Sequence, residues 1–357
     1  MEIGSEFHLR LESLKEADFS IYHLLKDYNA LYLDSGRSAL RLILNNINRG
    51  EVLVPEYICD SVINCFTGFE IKCYRLKPDL EIDMEDLCNK ISPSTKIVFL
   101  MHYFGALQRE EVCLQLQELR NQKGFMIIED TTHSIFSSPI TVGDYCICSL
   151  RKWFAIPDGG VLYSTHSLQR WKNLNLNRNR SIEKAYGMIL KTLYLDGELK
   201  SNSIFRKIFE STENKLNCKK EVLKISSLSE YLLQCYDLST MISKRKENYH
   251  QLLNGIWVSG FSPIQTLQKT DCPFTLPIRL NNRDQFRKYL INHKIFCAVH
   301  WPLEKNILNK MKRAKQLSLE IISFPIDQRY HTDEIDYLIK VINQYERRRM
   351  DAGNHSP

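Results

Sequence analysis

The segment TKIVFLMHYFG, residues 95–105, constrains this chain more than any other. From Ile97 to Met101 every side chain is apolar, so a strand here has no face to offer water. Such a strand belongs inside a parallel sheet covered on both sides, and parallel neighbours need crossover helices between them. The flanking sequence supplies these parts. REEVCLQLQELRNQKG (109–124) has helical apolar spacing and closes on Gly124. GFMIIEDTTH (124–133) is a second strand, ending in acid. Upstream, YNALYLDSG leads into the helical RSALRLILNNI, EVLVPEYI into DSVINCFT, and EIKCYRL reads as another strand. GDYCICSL and GGVLYS add two short strands. Strand–helix alternation on this scale predicts an α/β domain with a mostly parallel central sheet and helices on both faces. Chemistry in such sheets gathers at the carboxyl ends of strands.

After residue 167 the pattern weakens. WKNLNLNRNRS and STENKLNCKK read as polar loops. A long helix over 229–253 follows, and the remainder reads as α+β. Its strands are FTLPIRL, IFCAVHW and SLEIISFP, and its helices lie near 283–292, 307–316 and 332–347. The expected organisation is a large domain over 1–228, a bridging helix over 229–256 and a small α+β domain over 257–357.

Composition narrows the function classes. The net charge is +6, but basic residues form no long run, so no nucleic-acid partner is expected. No apolar stretch approaches about 18 residues, so no membrane span is expected. The N-terminus, MEIGSEFHLRLESLKEADF, has no signal-peptide core. Eleven cysteines, without paired metal-ligand spacing, fit reduced thiols in a cytoplasmic protein with no metal site.

Three segments carry candidate chemistry. Asp130 closes an apolar strand, where a carboxylate needs a partner. It either caps a helix, joins a salt bridge, or holds a cationic cofactor atom. DSGRSAL (34–40) puts small residues at a helix start, where Ser35, Gly36 and Ser38 are placed either to cap the helix or to hold a phosphate. CSLRKWFAIPDGGVL (148–162) sets Lys152 among apolar residues. Desolvation favours a neutral amine, and a neutral amine condenses with an aldehyde. A strand-end acid, a phosphate-holding turn and a lysine are the parts a pyridoxal phosphate site needs.

Taken in order, these segments resemble the DegT/DnrJ/EryC1/StrS family of sugar aminotransferases, which use pyridoxal 5'-phosphate (PLP). LDSGRSALRLIL is similar to its Ser-Gly-Thr-x-Ala-Leu segment and EVLVPEYICDSVIN to its Val-Pro segment. MHYFG is similar to its His-x-Tyr-Gly turn, IIEDTTHS to its Glu-Asp-Ala-Ala-Gln/His segment, and GDYCICSLRKWFAIPDGGVLYS to its cofactor-lysine segment. The resemblance runs from about Lys26 to Tyr345. It implies a type I PLP-dependent transferase fold, with a large α/β domain and a smaller C-terminal α+β domain, assembled as a homodimer.

The same resemblance implies roles. Lys152 is the catalytic lysine that carries the cofactor aldehyde, and Asp130 is the partner of the pyridine nitrogen. His133 lies against the ring or near its phenolic oxygen. Gly36, Arg37, Ser38 and Ser149 surround the phosphate. Cys59 stands at the ring-stacking position, with Tyr57 close by, and Tyr103, Phe104 or His133 is left to cover the ring. Tyr103, His300 and Trp301 are candidates for substrate contact. The implied reaction moves an amino group from an amino acid, L-glutamate in the family, to a keto sugar on a nucleoside diphosphate. A PLP enzyme for a non-sugar substrate and a non-catalytic protein of the same fold are the alternatives. Family dehydratases typically carry histidine where Lys152 stands. The chain departs from the pattern at Arg37 (usually threonine), Ile147 (usually serine), Asp158 (usually glutamate) and KISSLSE, where Asn-x-Arg-Met is common.

Overall fold

The computed structural model describes residues 2–11, 14–137, 141–171, 173–256, 261, 263–303 and 311–353. In chain order the elements begin β1 (Ile3–Gly4), α1 (Ile21–Leu24), β2 (Asn29–Leu33), α2 (Gly36–Leu44), β3 (Glu51–Pro55), α3 (Asp60–Ile63) and β4 (Glu70–Tyr74). Next come α4 (Met84–Lys90), β5 (Thr95–Met101), α5 (Glu110–Lys123), β6 (Met126–Asp130), β7 (Tyr145–Cys148) and β8 (Gly160–Ser164). A helical stretch follows, α6 (Asn179–Leu195), α7 (Ser203–Cys218), α8 (Ser227–Cys235) and α9 (Leu238–Gly255). The chain ends with β9 (Leu276–Arg279), α10 (Arg283–Asn292), β10 (Ile295–Phe296), α11 (Lys312–Glu320), β11 (Ile321–Phe324) and α12 (Thr332–Gly353).

Seven strands make the central sheet, in the order β2-β8-β7-β6-β5-β3-β4. From β7 through β4 all neighbours are parallel, while β8 runs against both β7 and β2. As its composition requires, β5 lies inside, with Ile97, Val98, Phe99 and Leu100 fully buried. Gly124 closes α5 at φ +75°, and its N–H donates to the Arg120 carbonyl at 2.9 Å.

A second core gathers Tyr249, Leu252, Leu276, Ile278, Phe286, Phe324, Leu338 and Ile342. It packs α9, α10 and α12 around the antiparallel β9–β11 pair, the smaller α+β unit expected from the sequence.

The structure differs from the sequence reading in several places. STENKLNCKK is not a loop, because residues 211–218 are the last turns of α7. Its buried residues, Phe205, Phe209, Thr212 and Leu216, recur at helical spacing, and the polar letters form its outer face. Likewise α6 begins within NRNRS. The single helix expected over 229–256 is two, parted at Tyr236 and Asp237, and the Asp237 carboxylate caps α9 through Thr240 N at 2.8 Å. Residues 3–4 do not stay with the large domain, since β1 pairs in parallel with β10 and Ile3 joins the second core. Only Ile295–Phe296 of IFCAVHW is strand, and SLE of SLEIISFP ends α11. The helix expected at 307–316 falls partly outside the described residues, and within them α11 starts at Lys312.

Candidate active site

The site is built where three chain reversals meet at the carboxyl ends of strands. The first is β2 into α2. Ser35 caps α2 with its hydroxyl, accepting from Ser38 N at 3.1 Å. The start of β8 is pressed against this turn, with Gly159 N donating to the Asp34 carbonyl at 3.1 Å. A Cβ on Gly160 would lie 2.1 Å from the Ser35 carbonyl carbon, so the Gly-Gly pair is what lets the two backbones meet. The second reversal is the end of β6, which delivers Asp130. The third is a 3-10 turn over Leu150–Lys152, directly after β7, which delivers Ser149 and Lys152.

These turns surround one cavity of about 300 Å³. Gly36, Arg37, Cys59, Asp130, Ser149 and Lys152 line it, as do His300 and Trp301 from the segment after β10. Asp130 is only 4% exposed. It caps no helix; its Oδ1 accepts from Thr132 N at 2.9 Å. Burial pushes its carboxyl above the usual range, opposed by the Thr132 hydrogen bonds and the charge of Lys152. Lys152 Nζ stands 3.5 Å from His133 Nε2.

His133 is fully buried, stacked on Phe274 at 4.4 Å between ring centroids and on Trp301 at 5.4 Å. Its Nδ1 faces the Phe104 N–H at 3.5 Å. Burial, then the charge of Lys152, hold its pKa well below the usual histidine value. His300 is pushed down to about 3 for the same two reasons, with its Nδ1 2.9 Å from Ser323 Oγ. Two neutral imidazoles thus stand beside the lysine.

Other expected site residues lie behind the wall. The Ser38 hydroxyl is turned to Asp34 Oδ1 at 2.6 Å, and Asp34 also binds Lys219 and Arg180. Tyr103 is buried and donates its hydroxyl to the Tyr57 carbonyl at 2.5 Å. The Tyr57 ring backs Trp301 at 5.5 Å. Neither tyrosine reaches the cavity, nor does the His133 ring, whose connection to it is Lys152.

Thr132, Arg151 and Glu213 are among the cavity residues with no counterpart in the sequence reading of the site. Thr132 lines the wall and accepts from Ser149 N at 3.1 Å. Glu213 comes from α7, and the helical spacing of residues 203–218 was the signal that could have located it. Asp158 is explained by its partners. Buried, it accepts from Ser226 N, Ser226 Oγ, Ser229 Oγ and Asn177 Nδ2 at 2.5–3.0 Å, which ties the serines of KISSLSE to the turn before Gly159.

The strand order, the separate α+β unit and the placement of the cavity define a type I PLP-dependent transferase fold. Residues 13–155 match the sequence profile of the DegT/DnrJ/EryC1/StrS aminotransferase family. Among curated proteins it is similar to the dTDP-4-dehydro-2,3,6-trideoxy-D-glucose 4-aminotransferase of Saccharopolyspora spinosa, 27% identical over 162 residues. That match covers 42% of this chain and 41% of the relative, less than half of its length. The fold is similar to that of Spr1654 of Streptococcus pneumoniae, described as a sugar aminotransferase and solved in its PMP form. The TM-score is 0.70 at 15% identity, over 99% of this chain and all of that one. It is also similar to PseC of Helicobacter pylori, an aminotransferase involved in pseudoaminic acid biosynthesis. Here the TM-score is 0.67 at 17% identity, over 97% of this chain and all of the other.

Proposed function

We propose that the chain is a PLP-dependent aminotransferase that moves an amino group from an amino acid, L-glutamate, to a keto sugar carried on a nucleoside diphosphate. One observation carries the reading: Lys152 and Asp130, from separate turns, line one cavity with the start of α2. The residues fit the cofactor. Asp130 is a buried carboxylate open to the cavity, and a protonated ring nitrogen is the partner such a group requires. The start of the nine-residue α2, Ser35 to Arg37, lines the cavity together with Ser149, and a helix start of this kind suits a phosphate. Lys152 supplies the amine for the aldehyde.

When bound, the cofactor draws electrons from the substrate carbon next to the amino group. The rest belongs to the chain. Asp130 holds the proton on the ring nitrogen. Lys152 would hold the cofactor's aldehyde, and its Nζ, once free, would be the base that takes the proton from the substrate carbon. His133, neutral and stacked between Phe274 and Trp301, fixes where Nζ stands without adding charge. Cys59 and Trp301 add apolar surface to the cavity wall, which would limit water there. The lysine separates this reading from the family's dehydratases, where a histidine is usual.

The chain is further proposed to act as a homodimer in the cytoplasm. Ile182 and Tyr186 share a face of α6 and are 68% and 56% exposed, an apolar pair suited to a second copy. Among the described residues no helix is long and apolar enough to cross a membrane.

The test uses protein loaded with PLP. L-glutamate should discharge the visible absorbance band and release 2-oxoglutarate in equal amount, and a nucleotide-linked keto sugar should restore the band. No discharge with any amino donor would contradict transamination. Restoration by simple keto acids, but by no nucleotide sugar, would contradict the acceptor.

A further inference from the structure

Two guanidiniums line the cavity at the same end as Ser35, Gly36 and Ser149. Arg37 is in the first turn of α2, and Arg151 directly precedes Lys152. Like charges this close disperse unless something holds them. Glu213, on α7, holds both. Its Oε2 accepts from Arg151 Nη1 at 2.8 Å, and its Oε1 accepts from Arg151 Nη2 and from Arg37 Nη2, each at 3.1 Å. Asn217, one turn further along α7, accepts from Arg37 Nη1 at 2.5 Å. Burial alone would raise the Glu213 carboxyl, but Arg151, then Arg37 and Lys184, bring it down to about 2. The carboxylate is therefore charged at neutral pH, and the trio keeps one net positive charge facing the cavity. Among the described residues the Nε of Arg151 is buried without a hydrogen-bond acceptor.

We infer that Arg37 and Arg151, oriented by Glu213, form a clamp that recognises the phosphate of the cofactor from within the same chain. The inference rests on the PLP reading above. A helix start supplies partial charge, whereas the two guanidiniums add full charge, held in place by their forked contacts to Glu213 and Asn217. Glu213 is the positioning residue. It makes α7, which lies outside the sheet, part of the cofactor site.

The experiment compares two ligands of the full-length apo protein, pyridoxal phosphate and pyridoxal. Both carry the aldehyde, and only one carries the phosphate. Equilibrium titration gives the ratio of their dissociation constants. The wild type should prefer the phosphorylated form strongly. Arg37→Met and Arg151→Met should each reduce that preference by roughly tenfold or more, with pyridoxal affinity unchanged. Glu213→Ala should reduce it in the same direction, which loss of a merely structural contact would not do. Pyridoxal uptake is the internal control for folding. Should a methionine variant not fold, Arg151→Lys decides, since it keeps the charge and loses the fork; an unaltered preference would overturn the clamp. Equal preference in wild type and both methionine variants would overturn it too, while leaving the PLP reading intact. If the wild type takes up neither ligand, the PLP reading itself falls.

Discussion

At the scale of single residues, what the sequence marked was placement carried by a local pattern. Asp130 stands out because an apolar strand ends in acid, and Lys152 because a lysine precedes a Gly-Gly turn. Both face the cavity. Direction is what a local pattern leaves open. Ser38, Tyr57 and Tyr103 sit in or beside the right motifs, but Asp34 engages the first, the Tyr57 ring backs Trp301, and the Tyr103 hydroxyl is held by the Tyr57 carbonyl. Asp158 shows the converse: a departure from the family pattern that marked no chemistry. Its four acceptor contacts make it a buried pin between the β8 turn and the start of α8. Asp158→Ala should therefore cost about 2–3 kcal/mol of stability by leaving buried donors unpaired, measured as a lower urea midpoint. Asp158→Asn, which keeps an acceptor oxygen, should cost less. An unchanged midpoint in Asp158→Ala would remove this explanation.

At the scale of elements, β5 and α5 were legible because an unbroken apolar run and a glycine-closed amphipathic helix each admit one reading. α7 was not, because its apolar residues are outnumbered by polar ones and only their spacing betrays a buried face. That miss hid Glu213. The junction of β8 with α2 is the element contact on which the site depends most. Gly160→Ala would drive a Cβ into the Ser35 backbone, where no side chain can yield. A cost of about 1–3 kcal/mol is expected, together with loss of PLP uptake measured by titration. Normal uptake by Gly160→Ala would show that the two backbones need not meet this closely.

At the scale of the whole molecule, the sheet was readable from alternation, but the joining of β1 to β10 was not. That pairing links residues far apart in the chain, Ile3 with Ile295, and two-residue strands carry no periodicity. Two histidines of the site contribute to how the molecule responds to acid. His133 and His300 have folded pKa values depressed below 6.5, so the unfolded chain binds more protons as pH falls below that value. Their contribution is complete above the unfolded pKa and is lost toward acid, at up to ~1.4 kcal/mol per pH unit for each. The urea midpoint of the apo protein should fall between about pH 7 and about pH 5, and His300→Gln should flatten that decline. A wild-type midpoint that does not fall would contradict the neutral imidazoles. In assembly, light scattering should give twice the chain mass, and Ile182→Asp with Tyr186→Asp should shift it toward the single chain; a wild-type monomer would contradict the dimer. The central claim is that Lys152 carries the cofactor, and borohydride reduction of PLP-loaded protein followed by peptide mass mapping tests it most directly. The label is expected on the peptide containing Lys152 and absent after Lys152→Ala. A label on another lysine, or none, would contradict it.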